Sequence, residues 1–263
     1  MRLRSRPVSG RGATPAWDGY VEEFHAEHPG ITESVLAGAT HGGTTPYEWC
    51  ADGLVGRTAS TTTLDLACGS GPMAGRVDGW VGSDTSAAEL DRAVDAGRTR
   101  VVRASATELP VAGRTLGAVT CAMAFQVIRP LDAAIAELAR VLAPGGRASL
   151  LLPSTGPLPP RDIFTYARLQ LALRQVVRYP NDAELAPDRL AATLARHGLQ
   201  LMSDERRPFR IALVSKAEAD ALVDSLYLPG VTPAGRARGR TAMSHRVGRG
   251  VTVPLRRIIV RRP

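Results

Sequence analysis

The sequence has few cysteines, a single lysine and no long apolar segment, and each of these shortages excludes a class of protein. Its 263 residues include three cysteines, Cys50, Cys68 and Cys121, at no spacing typical of metal ligands. We therefore predict no metal site, and an odd cysteine count is most simply explained by a reducing, cytoplasmic setting. No run of about 18 apolar residues is present, which predicts no membrane-spanning helix. The basic residues 1–15 precede no apolar segment, so they do not resemble a secretory signal.

Acidic residues are absent from both ends of the chain. Four arginines precede Ala13 and nine follow Asp224, which leaves 20 basic and 25 acidic residues between them. The formal net charge of +8 therefore comes from the ends. Basic ends can bind phosphate backbones, so nucleic acid is a possible partner. Because Lys216 is the only lysine, we favour an arginine-rich composition over nucleic-acid binding as the explanation.

The first part of the chain predicts a tail followed by helices. Residues 1–14 are predicted to be a flexible basic tail. Trp17, Tyr20 and Phe24 recur at i, i+3 and i+7, which is the spacing of one helix face. With further helical patterns around residues 31–36 and 46–49, the sequence predicts an N-terminal helical cap over residues 15–60.

Strands and helices alternate from residue 61 onward, as in a parallel sheet with helices on both faces. The predicted strands are Thr61–Ala67, Trp80–Ser83, Arg100–Arg103, Gly117–Cys121, Arg147–Leu152, Leu199–Met202, Phe209–Val214 and Val251–Val260. The predicted helices between them are Ser86–Ala96, Leu131–Leu142, Asp162–Val177, Pro187–His197 and Lys216–Tyr227. Short apolar strands of this kind are typical of a sheet that is buried on both faces.

A glycine-rich stretch, LDLACGSGPMAG, follows the first of these strands. Such turns hold ligands, since the free N–H groups at a helix start favour polar or anionic groups. The pattern Gly69-x-Gly71-x-x-Ala74 fits a dinucleotide-binding turn. Asp84, at the end of the next predicted strand, is placed to accept the two hydroxyls of a ribose. Both NAD and another adenosine-containing cofactor remain open at this point.

Three further features favour the second cofactor class. Asp65 brings a carboxylate that suits an ammonium group better than a diphosphate. Pro72 removes one N–H donor from the turn. The segment ELARVLAPGGRASLLLP, Glu137–Pro153, combines a predicted helix, a Pro-Gly-Gly turn and an apolar strand.

In LDLACGSG, WVGSDTSAAEL, ASATELP and ARVLAPGGR the sequence resembles the class I S-adenosylmethionine-dependent methyltransferases, especially a branch similar to the quinone-biosynthesis enzymes. These motifs occur in the family's order and spacing from Thr63 to Pro153. The resemblance implies an α/β, Rossmann-like fold with a mostly parallel seven-stranded sheet, and S-adenosylmethionine as the cofactor. It divides the methyltransferase domain, residues 61–263, into a cofactor-binding half, 61–153, and an insert with the C-terminal half, 154–263.

The resemblance also implies a set of cofactor-binding residues. The methionine moiety would be surrounded by Asp65, Ala67, Gly69 and Gly71. The ribose hydroxyls would bind Asp84, and the adenine would be bordered by Thr85 and lined along its edge by Ala104, Ser105 and Ala106. The sulfonium would be faced by Ala122 and Met123. Ser105 departs from the family pattern, which usually has an aspartate there. The loss of that charge-assisted hydrogen bond is expected to cost about 1–2 kcal/mol of cofactor affinity.

A second departure concerns catalysis. Gln126-Val127 stands where many relatives carry a histidine pair, so the most obvious general base is missing. The remaining candidates for an acid–base or substrate-positioning role are Gln126, His25, His41 and Tyr20. Each of them also has an ordinary structural explanation, as a packed or solvent-exposed side chain.

Three functions agree with these observations. The favoured one is methyl transfer to oxygen, nitrogen or carbon of a small molecule, mainly by in-line positioning, in a monomer or homodimer. The insert 158–179 mixes apolar and basic side chains, which suits an apolar pocket wall with a basic exterior. The alternatives are an RNA methyltransferase that uses the arginine-rich segment 236–262, and a non-catalytic S-adenosylmethionine-binding protein, suggested by Ser105 and the missing histidines.

Overall fold

The computed structural model describes residues 17–54 and 62–263, so the predicted tail and most of the boundary near residue 60 lie outside the described residues. The helices are α1 Trp17–Glu27, α2 Ile31–Leu36, α3 Pro46–Asp52, α4 Ala87–Asp95, α5 Leu131–Val141, α6 Pro160–Leu173, α7 Pro187–Arg196, α8 Lys216–Asp224 and α9 Pro233–Ser244. The strands are β1 Ala39–Thr40, β2 Thr63–Leu66, β3 Trp80–Asp84, β4 Val101–Arg103, β5 Leu116–Ala122, β6 Leu142–Pro153, β7 Gln200–Ile211 and β8 Val251–Arg261.

The strands form one mostly parallel sheet in the order β1-β7-β8-β6-β5-β2-β3-β4. Strands β2 to β6 pair with one another in parallel, whereas β8 pairs antiparallel with both β6 and β7. The described residues hold eight strands, one more than the seven that the family resemblance implies, because the two-residue β1 pairs with the edge of β7. The Rossmann-like fold is confirmed.

Two predicted strand pieces, 199–202 and 209–214, are one continuous strand. Strand β7 pairs with β8 from Gln200 to Ile211, with a single register shift between Leu201 and Ser203. The intervening residues, SDERRP, are polar, which is why the apolar pattern predicted a break. Their charges are matched across the strands, since Arg256 forms two hydrogen bonds to Asp204 and Arg257 contacts Glu205 at 3.0 Å.

The sequence did not predict helix α9. Its glycines argue against a helix, because glycine in a helix interior costs about 1 kcal/mol relative to alanine. The structure gives a packing reason for one of them: a Cβ on Gly239 would lie 2.7 Å from Leu173 in α6. The helix therefore contacts α6 and α8 closely because glycine occupies this position.

Helices cover both faces of the sheet, and β6 shows why its sequence is an unbroken apolar run. Leu150 and Leu152 pack with α5 and α7 on one face. Leu151 packs with α3, α6 and α8 on the other face. All three leucines are buried, so the strand needs no polar alternation.

Helices α1 and α2 lie beside the edge of the sheet where the parallel strands end. Trp17 and Phe24 of α1 form a separate apolar cluster with Val127 and Tyr227. This cluster brings α1 next to the residues that follow β5. No helix in the described part of the chain is long and apolar enough to span a bilayer.

Candidate functional site

A cavity of about 660 Å³ lies at the carboxyl ends of β2, β3 and β5. Nine of the eleven predicted cofactor-binding residues line it: Ala67, Gly69, Asp84, Thr85, Ala104, Ser105, Ala106, Ala122 and Met123. They come together because the carboxyl ends of neighbouring parallel strands meet at one edge of the sheet, which is where ligands bind in open α/β folds.

The other two predicted residues, Asp65 and Gly71, do not line the cavity. Asp65 is 1% exposed and accepts hydrogen bonds from Trp80 Nε1 at 3.1 Å and from Thr120 Oγ1 at 2.8 Å. Burial raises the pKa of Asp65 to about 7. Gly71 has φ +82° and lies so close to Trp80 that a Cβ would approach its ring to 3.0 Å. Both residues therefore support the glycine turn from behind.

Asp84 joins the glycine turn to the start of α4. Its Oδ2 accepts a hydrogen bond from Gly69 N at 2.7 Å, and its Oδ1 accepts one from Ser86 N at 2.9 Å. A carboxylate offers about four acceptor positions, so two remain for other donors. Asp84 also lines the cavity, where it can accept hydroxyl hydrogen bonds from a ribose.

Two non-glycine residues at the strand ends adopt left-handed backbone conformations. Ala67 has φ +50° and Met123 has φ +60°. Such conformations cost about 1–3 kcal/mol and are concentrated at functional sites. Met123 N donates to Leu151 O at 2.7 Å, which fixes this turn against the neighbouring strand.

The hydroxyl of Ser105 faces a local partner. Ser105 Oγ lies 2.8 Å from Thr107 Oγ1 and accepts a hydrogen bond from Thr107 N at 3.2 Å. Ser105 lines the cavity, so its position matches the prediction, but its side chain carries no charge to offer an adenine amino group.

Carboxylates from the cap and from α4 add negative charge to the cavity wall. Glu33 forms two hydrogen bonds with Arg98, each 2.7 Å long, and accepts a third from Ser70 Oγ at 2.7 Å. Burial alone would raise the pKa of Glu33, but these bonds hold that pKa below its usual value. Arg103 and Arg129 also border the cavity.

Glu89 is buried at the wall, and its role differs from the one that its sequence position suggests. Ser86-x-x-Glu89 is the pattern of a helix capping box, in which the glutamate would bind the Ser86 N–H. Asp84 takes that N–H instead. The Glu89 carboxylate is thereby free to accept hydrogen bonds from His25 Nδ1 at 2.7 Å and from Gly30 N at 2.9 Å.

His25 is the candidate base that the structure places at the cavity. Its second ring nitrogen, Nε2, lies 2.7 Å from the hydroxyl of Tyr227. No local pattern indicates Tyr227, which is 202 residues away in the sequence. The sequence therefore predicted one member of this cluster and missed the other two.

A second cavity, of about 510 Å³, adjoins the first. Thr32, Met123 and Tyr227 line both cavities. The walls of the second cavity are mainly apolar, and its lining residues include Val35, Leu36, Leu152, Leu158, Tyr166, Leu169, Val177, Tyr179, Leu222 and Leu226. Segment 158–179 thus contributes to an apolar wall, as predicted, although its Phe164 and Leu171 are exposed.

Gln126 lies on the wall of the second cavity. Its Nε2 donates to Met123 O at 2.6 Å, whereas its Oε1 is buried without a hydrogen-bond partner. Tyr20 and His41 line neither cavity. The Tyr20 hydroxyl accepts hydrogen bonds from Leu228 N and Arg236, and His41 Nδ1 lies 3.0 Å from Pro208 O.

These features define an α/β protein of the Rossmann-like class with a cavity at the carboxyl edge of its sheet. Residues 64–150 match the family model described as a methyltransferase domain. This match lies within the segment, Thr63–Pro153, whose motifs predicted a class I S-adenosylmethionine-dependent methyltransferase with S-adenosylmethionine as its cofactor, and it supports that prediction. The finer resemblance to a quinone-biosynthesis branch stays a prediction.

Solved structures share the fold at low sequence identity. The YcgJ protein from Bacillus subtilis is 17% identical with a TM-score of 0.52, over 82% of this chain and 96% of that one. The [4+2]-cyclase SpnF is 19% identical with a TM-score of 0.54, over 92% and 95% of the two chains. A phosphoethanolamine N-methyltransferase 2 from Haemonchus contortus, solved with S-adenosylhomocysteine, is 13% identical with a TM-score of 0.56, over 95% and 61%. No curated protein matches the sequence.

The first cavity fits S-adenosylmethionine in space and in charge. The glycine turn opens the wall, because Gly69 has φ +54° and leaves the space of a side chain free. Asp84, Glu33 and Glu89 supply negative charge around a cofactor that carries a sulfonium and an ammonium group. Within residues 17–54 and 62–263, no group of three or more histidine, cysteine, aspartate or glutamate side chains is arranged to hold a metal ion.

Proposed function

We propose that this methyltransferase acts on a small, largely apolar molecule that binds in the second cavity. The observation that carries the proposal is the shared wall: Thr32, Met123 and Tyr227 border both cavities. A molecule in the second cavity would thus reach the cofactor within the protein, shielded from water. Holding the two reactants in line and dry is the main contribution of the protein to such a transfer.

The chemistry is divided simply between cofactor and protein. S-adenosylmethionine supplies an electrophilic methyl group on a sulfonium. Asp84 would hold the ribose, the turn at Ala67 and Gly69 would lie against the methionine moiety, and Met123 would face the reacting centre. Gln126, which lines the second cavity, would orient the molecule that accepts the methyl group.

The arginine-rich segment favours a small molecule over RNA. Seven of the nine arginines after Asp224 use their side chains in internal hydrogen bonds: Arg236, Arg238, Arg240, Arg246, Arg256, Arg257 and Arg262. Four of these pair with carboxylates, including Arg240 with Asp224 at 2.8 Å and Arg246 with Asp162 at 2.7 Å. Guanidinium groups that are bonded in this way are less available to a phosphate backbone.

The first experiment measures binding and transfer separately. Calorimetry with S-adenosylmethionine establishes cofactor binding, and tritiated cofactor then reports methyl transfer to a library of neutral apolar compounds and to bulk RNA. We expect the label in solvent-extractable products and none in RNA. Label in RNA, with binding that weakens steeply as salt increases, would instead identify the RNA methyltransferase. Cofactor binding without any transfer would support the non-catalytic alternative.

A pair of variants tests where the molecule that accepts the methyl group binds. Ala186, which immediately precedes α7, lines the second cavity. Ala195 lies within α7 and is exposed. Ala186→Trp should fill the cavity and abolish transfer while the dissociation constant of S-adenosylmethionine stays unchanged. Ala195→Trp should change neither quantity. Unimpaired transfer by Ala186→Trp would show that the acceptor binds elsewhere.

A further inference from the structure

Tyr227 lies at the boundary of the two cavities and is held firmly there. The residue is 6% exposed, and its ring lies 4.7 Å from that of Phe24 and 6.3 Å from that of Tyr179, centroid to centroid. Burial raises the pKa of Tyr227, so the phenol remains protonated. The hydroxyl can therefore accept a proton only if it passes its own proton to a neighbour at the same time.

His25 is placed to take that proton. Its Nδ1 lies 2.7 Å from Glu89 Oε1 and its Nε2 lies 2.7 Å from the Tyr227 hydroxyl. Because a carboxylate only accepts hydrogen bonds, Nδ1 carries the ring proton, and Nε2 accepts from Tyr227. The three groups form a continuous chain of hydrogen bonds from the cavity boundary to a buried carboxylate.

Glu89 makes this chain more than a structural link between α1, α4 and the segment after α8. The residue is 3% exposed, and among the ion pairs of the described residues it pairs with His25 alone. A buried carboxylate without a permanent cation is costly, and packing does not require it. Its negative charge lies beside the imidazole that would receive a proton, as in a catalytic triad. The titratable groups with a hydrogen bond to His25 are Glu89 from α4 and Tyr227 from the segment after α8.

We propose that Tyr227 is a catalytic residue, that His25 and Glu89 act through it as a proton relay, and that the acceptor is therefore a neutral alcohol or phenol. This inference rests on the proposed function, since it names the reacting group of the molecule in the second cavity. The acceptor oxygen gains the methyl group as the carbon–sulfur bond of the sulfonium breaks. Its proton passes to the Tyr227 oxygen while the Tyr227 proton passes to His25 Nε2, and His25, which borders the first cavity, later releases it to water.

A nuclear magnetic resonance experiment tests the relay without any turnover. The full chain, labelled with ¹⁵N-histidine, is observed through long-range proton–nitrogen correlations, and the His25 signals are assigned by their loss in His25→Gln. We expect neutral His25 to carry its proton on Nδ1, and the Nε2 shift to change in Tyr227→Phe. Protonation on Nε2 would overturn the relay whether or not the protein transfers methyl groups.

A matched pair of acceptors tests the chemistry. We would compare 4-cyclohexylphenol with 4-cyclohexylaniline, because the phenol must lose its proton as it is methylated, whereas the aniline nitrogen attacks with its lone pair. Tyr227→Phe should lower kcat for the phenol by about 100-fold or more, and for the aniline by no more than about threefold. His25→Gln should also lower kcat for the phenol more than for the aniline. His28→Gln is the matched control, since His28 lines neither cavity.

Each result decides the proposal. Equal losses on both acceptors, in Tyr227→Phe or in His25→Gln, would reduce the chain of hydrogen bonds to a structural role. Transfer to the aniline alone, or to neither acceptor while S-adenosylmethionine binds, would overturn the alcohol or phenol class and leave methyl transfer to other molecules untouched. A failure of the proposed function itself is seen first, as absent cofactor binding in the calorimeter.

Discussion

The backbone N–H of Gly69 donates to the carboxylate of Asp84 at 2.7 Å, so the residue predicted to bind the ribose also holds the glycine turn. We expect Asp84→Ala to weaken S-adenosylmethionine binding at least about tenfold, because it removes a charge-assisted contact and loosens the turn. Calorimetry measures the change, and circular dichroism checks the fold. Asp91→Ala, on the exposed face of α4, is the control. An unchanged dissociation constant for Asp84→Ala would mean that the ribose binds elsewhere.

Ser105 offers a gain of affinity. We expect Ser105→Asp to tighten S-adenosylmethionine binding by about five- to thirtyfold, equivalent to about 1–2 kcal/mol, because it restores a charged acceptor for the adenine amino group. Ser105→Ala should have little effect, since the present hydroxyl is already bonded to Thr107. Equal affinities for Ser105→Asp and the wild type would contradict this assignment of the adenine edge.

Asp65 makes stability depend on pH. Burial raises its pKa in the folded protein to about 7 from an ordinary value of 3.8. The folded state therefore holds the proton more tightly, and stability present below about pH 4 is lost as the pH rises towards 7. Relative to Asp65→Asn, the unfolding free energy of the wild type should fall by at most about 4 kcal/mol over that range.

Urea denaturation of both proteins at several pH values checks this difference. Asparagine can keep both contacts, because the Thr120 hydroxyl is able to accept as well as donate. Asp91→Asn, which changes an exposed carboxylate, should follow the wild type. Parallel stability curves for Asp65→Asn and the wild type would show that Asp65 titrates normally.

The pair between Arg246 and Asp162 should contribute to the fold. Asp162 is fully buried and accepts hydrogen bonds from Arg246 Nη2 at 2.7 Å and from Thr252 N at 3.1 Å. Asp162→Ala would leave a largely buried guanidinium unpaired, at an expected cost of about 3–5 kcal/mol. Chemical denaturation measures the loss. Asp132→Ala, which breaks an exposed pair with Arg196, should not shift the midpoint, and equal shifts in the two variants would refute the difference.

Motif residues could be predicted because they act locally. Ala67, Gly69, Asp84 and Met123 each lie at or just beyond a strand end, and the alternation of strands and helices places those ends at one edge. The same reasoning could not exclude Asp65 from the predicted cofactor-binding residues, because the sequence pattern does not show which way a side chain in the strand faces. The cofactor-binding role of the individual residues stays a prediction.

The relay could not be predicted because its members come from distant elements. Glu89 carries a sequence signal, but that signal indicates a capping box, and only the competing bond from Asp84 to Ser86 N frees its carboxylate. Tyr227 carries no signal at all, since its importance follows from the packing of the insert and the cap around the second cavity, whereas Gln126 was a candidate from its position in the motif order. In the fold, α9 and the polar middle of β7 were missed for a similar reason: contacts outweigh local propensity.

The position of β8 between β6 and β7 determines the order in which this sheet can be completed. Residues 200–211 are made well before residues 251–261, yet they have no place beside β6 until the later segment arrives. On a ribosome, the parallel half of the sheet can form early, whereas β7 must wait with only the two-residue β1 as a strand partner. A nascent chain halted before Val251 should therefore hold a partial sheet and bind chaperones that recognise exposed strand edges.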